Sequence, residues 1–332
     1  MKNINTILFL LTSFLATAQA PQTFQDPQWT MINLNQLGKN PAFAGESGGP
    51  RIQLINRWQW FNLRGINSRS VSIDAPIGGR NGIGAQFYYD SQMEDFTQTA
   101  AYGFYSIQFP ENSKIKKFAF QLGLKAGVKN SRYGTFSQSV FADQLGTNGI
   151  DITINNSSDP LKSNNSYSNT DFDSGAGLVF KFLQEENKDY PLTVVGLSVD
   201  HFQELVFNKP QFSPRLGFQF SRHKDYDKIL FNRSRGDQLD LSPTQETTIN
   251  YWQQFGSSQL QIMKEFHSYP LHWGYGIRHD LTKFLKKKQI RESILLTFGA
   301  QRKKLVLNYA FDLTISSLSL KNTWGSHEVS LL

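Results

Sequence analysis

The chain of 332 residues contains no cysteine, which excludes disulfides, thiolate metal sites and a lipid-modified cysteine behind a leader. Beyond residue 20 no apolar run approaches the roughly 20 residues of a membrane helix, so any crossing of a bilayer must use a closed β-barrel. Histidine is sparse, with six residues at 201, 223, 267, 272, 279 and 327. None stands in a metal-ligand spacing such as HExxH, and the GxxxxGK[ST] and GxGxxG phosphate loops are missing. No metal, no cofactor and no catalytic residue is therefore expected. Ser198 with His201, or Ser326 with His327, could be nominated as a hydrolytic pair, but nothing distinguishes them, because triads are recognised by geometry. The net charge of +7 gathers in short clusters such as Lys286-Lys287-Lys288 and Arg302-Lys303-Lys304. These read as turns and rims, not a phosphate-tracking stripe, so no nucleic-acid partner is expected.

What is present starts with an export signal. Lys2 precedes an apolar stretch from Ile7 to Leu15 that ends in Ala18-Gln19-Ala20, so residues 1–20 read as a signal peptide and the mature chain is expected to begin near Pro21 or Gln19. Aromatic residues are plentiful, with 27 Phe and 12 Tyr, yet they are dispersed among polar neighbours.

That dispersal has a period. From Lys117 to Lys129, Phe118, Phe120, Leu122, Leu124, Ala126 and Val128 alternate with Lys, Ala, Gln and Gly. A helix fits poorly, because Phe118 and Phe120 would lie about 200° apart. A transmembrane strand of about 9–11 tilted residues fits, with apolar positions facing lipid and polar or small ones facing a lumen. The alternation recurs from Ile52 to Trp60, Val71 to Ala75, Ile83 to Tyr89, Leu178 to Phe182, Val195 to Val199, Leu271 to Ile277, Ile294 to Ala300 and Leu305 to Phe311. With weaker segments near 98–108, 215–221, 248–255, 258–264 and 326–332, the expected total is about fourteen antiparallel strands. A soluble β-sandwich also alternates. Aromatics near strand ends (Trp58, Trp60, Tyr88, Tyr89, Phe180, Phe182) favour the interfacial girdles of a membrane barrel, and the Gly, Ser, Gln and Lys opposite them suit a wet or loosely filled lumen. Connections are unequal, from the turn Gly78-Gly79-Arg80-Asn81 to an Asn/Ser-rich stretch between about Ser131 and Asn169. Residues 51–332 thus read as the barrel and 21–50 as an N-terminal periplasmic or plug segment.

That segment carries Gln25-Asp26-Pro27-Gln28-Trp29 and then Asn40-Pro41-Ala42-Phe43-Ala44-Gly45. Together with Arg57-Trp58-Gln59-Trp60, Ser70-Val71-Ser72-Ile73-Asp74-Ala75-Pro76, Gly175-Ala176-Gly177-Leu178 and Gly325-Ser326-His327-Glu328-Val329-Ser330-Leu331, these motifs resemble the PorP/SprF family. Trp29 and Phe43 replace the family's Phe and Tyr. The resemblance implies a non-enzymatic protein of the outer membrane of Bacteroidota, attached to the type IX secretion or gliding machinery. It implies partners among outer-membrane lipid, machine components in the periplasm and outer membrane, and secreted adhesin-type cargo. Gln25, Asp26, Pro27, Gln28, Trp29, Asn40, Pro41 and Phe43 are the expected partner-binding residues. A passive diffusion porin is the alternative function.

Overall fold

The structure, a computed structural model, describes residues 26–60, 66–92, 96–109, 118–133, 145–146, 149–150, 167–183, 191–202, 214–224, 244–254, 257–281, 292–315 and 320–332. The signal segment, Gln25 and most of the Asn/Ser-rich stretch lie outside these residues. Within that stretch only a ribbon of β6 (Leu145–Gly146) and β7 (Gly149–Ile150) is described.

Fourteen strands close an antiparallel barrel. In chain order they are β1 (Arg51–Gln59), β2 (Ile66–Ile77), β3 (Asn81–Gln92), β4 (Phe96–Phe109), β5 (Phe118–Tyr133), β8 (Tyr167–Leu183), β9 (Pro191–Asp200), β10 (Arg215–Lys224), β11 (Thr244–Gln254), β12 (Ser257–Ser268), β13 (Leu271–Asp280), β14 (Glu292–Arg302), β15 (Leu305–Thr314) and β16 (Ser326–Leu331). Each barrel strand pairs with its neighbours in sequence, and β16 closes the ring against β1 from Leu54↔Leu331 to Gln59↔Ser326. The strand count and class match the reading of the alternation. We call the end where β1 begins and β16 ends the base, and the opposite end the rim. Of the three two-residue connections, 269–270 and 303–304 join strands at the base and 255–256 at the rim, while the 33-residue connection 134–166 joins strands at the rim and the 19-residue connection 225–243 at the base.

Period two places the apolar set outward without exception along β5: Phe118, Leu122, Leu124 and Val128 are exposed, Leu124 to 60%, while Ala119, Gln121 and Lys129 are buried inside. Register then builds aromatic patches on the outer wall near the base. Phe118 faces Phe182, Phe120 lies between Phe109 and Phe180 in register, and Phe266 stacks on Trp273 at 4.5 Å. Such patches suit a bilayer interface, where aromatic rings sit with one face wet. Tyr88 departs from this scheme. It stands next to Tyr89, so only one of the two can face lipid; Tyr88 is buried inside with Tyr102, Phe104, Ala100, Leu37 and Ala44.

The outward orientation carries a quantitative consequence. Leu122→Arg places a guanidinium in hydrocarbon and should cost about 2–4 kcal/mol in a lipid refolding equilibrium. The inward Gln121 is not a free comparison site, because its amide donates to Ser106 Oγ and to the Ala44 carbonyl and its oxygen accepts from Lys181 Nζ.

Candidate functional site

The lumen is not loosely filled but occupied by the chain itself. Residues 26–49 run lengthwise through it, from Asp26 at the rim to Gly49 at the base, and the side chains lining the barrel bond to them along the way. The candidate site is this inner interface.

At the rim, Asp26 meets Lys129 Nζ at 2.7 Å, His201 Nε2 at 2.8 Å and Arg215 at 3.7 Å, and its backbone N–H donates to Gln254. These partners sit near the rim ends of β5, β10 and β11 and just past the end of β9. His201, held at φ 56, reaches Asp173 with its other ring nitrogen at 2.8 Å, and Asp173 also accepts from the Tyr102 hydroxyl. Burial pushes the Asp26 carboxyl up, but the surrounding His201, Lys129 and Arg215 outweigh it and hold the group well below the usual carboxylate range.

One turn further in lies the densest charge cluster. Glu328 on β16 accepts both the Thr30 and Met31 backbone N–H groups, at 2.6 and 2.9 Å. Arg57 on β1, its register partner, pairs with Asp312 at 2.7 Å and with Glu328 at 3.4 Å. Arg278 shares Asp312 at 2.8 Å and donates to the Trp29 carbonyl. Thr30 Oγ1 donates to Asp312, accepts from Arg57, and the Thr30 carbonyl accepts from Gln261. Arg57 is only 1% exposed. A buried network of this kind is tolerated only when each charge is paired and hydrogen-bonded.

The middle of the segment folds locally before it packs. Asn35 caps the single helical turn Gln36–Lys39 through the Gly38 N–H, and Asn40 caps the 3-10 turn Pro41–Phe43 through the Ala42 N–H at 2.9 Å. Proline suits the first position of such a turn because its missing N–H would have no partner there. Asn40 also donates to the carbonyls of Leu197 and Leu178, so this side chain ties the turn to β8 and β9. Two wall glycines make the close approach possible. A Cβ on Gly123 would stand 2.2 Å from Ala42 N, and one on Gly177 1.8 Å from Asn40 Oδ1. Phe43 packs with Ala42, Val179 and Val194.

At the base, Gly45 turns at φ 69 and gives its N–H to Asp74, which also pairs with Arg51 at 2.8 Å. Ser106 donates to the Ala44 carbonyl, and Glu46 pairs with Lys181 at 2.9 Å.

The expected partner-binding residues Asp26, Pro27, Gln28, Trp29, Asn40, Pro41 and Phe43 are thus all brought to the lumen, with Pro27, Trp29, Asn40, Pro41 and Phe43 buried. The nominated hydrolytic pairs are not assembled. Ser198 donates to the Lys39 carbonyl while His201 engages Asp26 and Asp173. His327 faces outward against Tyr309 while Ser326 is buried on the inner face, as alternation requires of adjacent strand residues, so the second pair does not meet either.

Motif reading missed one set. Glu246, Glu265 and His267 bring ligand atoms within 4.8 Å of one another, a donor set that could hold a divalent cation. Asn33 binds the same Glu265. Glu265 and His267 share a strand face at i, i+2, and Glu246 is the register partner of Glu265; strand register, invisible to a spacing search built for helices, makes the cluster. Lys39 comes near it with its ammonium buried and without a hydrogen-bond acceptor.

Comparison with known proteins adds a family. The model described as type IX secretion system membrane protein PorP/SprF matches residues 21–332. No curated protein matches the chain. Among solved structures, it is similar to KdgM porin at 7% identity and TM-score 0.36, covering 84% of this chain and 96% of that one. It is also similar to BamA from Haemophilus ducreyi lacking POTRA domains 1–3, at 9% identity and TM-score 0.40, covering 86% and 70% respectively. A mutant Rh. blastica porin gives 6% identity and TM-score 0.33, covering 85% and 98%.

Proposed function

Because this chain belongs to the PorP/SprF family of type IX secretion system membrane proteins, we propose that it works as a plugged, non-catalytic outer-membrane barrel that supports delivery or surface attachment of adhesin-type cargo. Membership places it in the outer membrane with other parts of the secretion machine. The finer reading is that it acts by binding machine or cargo proteins, and not by passing solutes.

One observation carries this reading: the lumen is occupied along its length by residues 26–49, anchored at the rim, the middle and the base. A diffusion porin needs an open aqueous path, whereas here the inward Arg57, Asp312, Glu328 and Lys129 are spent on the chain's own segment. Within the expected partner-binding set, Asn40, Pro41 and Phe43 are used up inside the barrel. Asp26 is likewise engaged inside, by Lys129, His201 and Arg215.

Two measurements test the proposal together. Purified protein in a planar bilayer should pass no current at voltages where a porin control conducts. Tagged protein solubilised from its native membrane should bring down other components of the secretion machine. A barrel that is recovered alone and conducts like the control would overturn it.

A further inference from the structure

Four consecutive strands gather histidine and glutamate at the base end of the lumen. Alternation turns His223 on β10, Glu246 on β11, Glu265 and His267 on β12 and His272 on β13 inward. Register sets His223 opposite Glu246, Glu246 opposite Glu265 and His267 opposite His272. Ligand atoms of Glu246, Glu265 and His267 lie within 4.8 Å of one another, and His223 Nε2 stands 3.7 Å from Glu246. The plug meets the same spot, since Asn33 Nδ2 donates to Glu265 at 2.5 Å. Charge is balanced differently here than in the clusters described above. Asp26, Asp74, Asp200, Asp312 and Glu328 each have a lysine or arginine nitrogen at 3.4 Å or nearer. Among the described residues no lysine or arginine pairs in this way with Glu246 or Glu265. The obvious candidate is Lys39, which feels the charge of both glutamates, yet its buried ammonium makes neither an ion pair nor a hydrogen bond with them. Two carboxylates this close repel unless a positive charge is shared between them.

We infer that Glu246, Glu265 and His267 form a site for a divalent transition-metal ion, zinc fitting best, which joins β11 to β12 beside the plug. The donors select the class, because an imidazole with two carboxylates suits zinc and its neighbours, whereas calcium and magnesium favour shells made of oxygen alone. Zinc holds such nitrogen and oxygen atoms at about 2.0–2.2 Å, so the three donors draw together by rotation of half-buried side chains and leave a fourth position to water. Both carboxylates already have the outer hydrogen bonds that orient metal ligands: Asn33 donates to Glu265, and the Thr248 hydroxyl donates to Glu246 at 3.3 Å. Asn33 belongs to the plug, so the ion also serves as a clasp between the barrel wall and residues 26–49.

Titration of the untagged protein in detergent, stripped with a chelator, against zinc chloride in a calorimeter tests the site. Saturable binding of one zinc per chain is expected. Glu265→Gln and His267→Ala should each weaken it by more than about 100-fold and Asn33→Ala by about 10-fold, the outer partner mattering less than the ligands. Lys39→Met, which removes a competing positive charge, should tighten it several-fold. His327→Ala, on the outer wall, should leave it unchanged. Heat-modifiable migration on gels checks that each variant still forms the barrel. X-ray absorption of the zinc-loaded parent protein needs no variant and should show one imidazole among oxygen donors at about 2.0–2.2 Å. Absence of saturable zinc uptake, uptake that persists in both Glu265→Gln and His267→Ala, or a metal shell without imidazole would overturn the inference.

Discussion

Arg57→Ala should destabilise the barrel by about 3–5 kcal/mol in equilibrium unfolding, against almost nothing for the exposed Arg69→Ala. The size follows from what the side chain holds. Arg57 sits where β1 meets β16, and its guanidinium binds Asp312 at 2.7 Å and Glu328 at 3.4 Å while also donating to Thr30 Oγ1. Removing it leaves Glu328 buried with only the Thr30 and Met31 N–H groups, and leaves Asp312 with Arg278 as its remaining cation. The loss falls on the ring closure and on the plug at once. Arg57→Lys should recover only part of it, since an ammonium is a point charge and cannot reproduce the planar fork that reaches two carboxylates and a hydroxyl. If Arg57→Ala unfolds at the same denaturant concentration as the protein itself, the network is not a stabilising closure.

Deleting residues 26–48 should convert a silent barrel into a conducting one, the largest functional change expected from any variant of this chain. The strands need no help from the plug for their backbone bonds, because β1 pairs with β2 from Arg51 to Gln59 and with β16 from Leu54 to Gln59. Without the segment, Lys129, Asp173, His201, Arg57, Glu328 and Lys181 would line a water-filled channel, where water can solvate charges that the plug now satisfies. Planar-bilayer recordings should show resolved single-channel currents for the deletion and none for the intact protein. Gly123→Leu offers a gentler version that keeps the chain length: its side chain needs the space held by Pro41 and Ala42, so it should dislodge the middle of the plug and give intermittent currents. A deletion that folds into membranes yet stays silent would mean that something other than residues 26–48 closes the barrel.

Much of this was legible in the sequence, and the reason is periodicity. Thirteen residues of strict alternation around Phe118 and Leu124 could be satisfied only by a strand with an apolar and a polar face, and the absence of a membrane helix left a closed barrel as the way across. The PorP/SprF motifs were legible for a related reason: Asn40-Pro41, Gly45 and Gly177 are demanded by a cap, a positive φ and a close approach, local needs that leave few residue choices. Less was legible where two partners are distant in sequence. Arg57 and Glu328 stand in motifs 271 positions apart, and nothing in either predicts that register sets them opposite one another at the closing seam. Tyr88 read as an interfacial aromatic because a run of two tyrosines does not say which one faces lipid.

The amino-acid order by itself determined the class of fold, the lipid-facing side of the clearly alternating strands and the family, because those depend on patterns within ten or so neighbouring residues. Tertiary structure alone decided what fills the lumen, which way the N-terminal segment runs through it, and that His267, Glu265 and Glu246 converge. Those depend on strand register and on burial of charge. An aspartate twenty-five residues before β1 has no local reason to lie at the rim until Lys129, His201 and Arg215 are gathered there by three separate stretches of barrel.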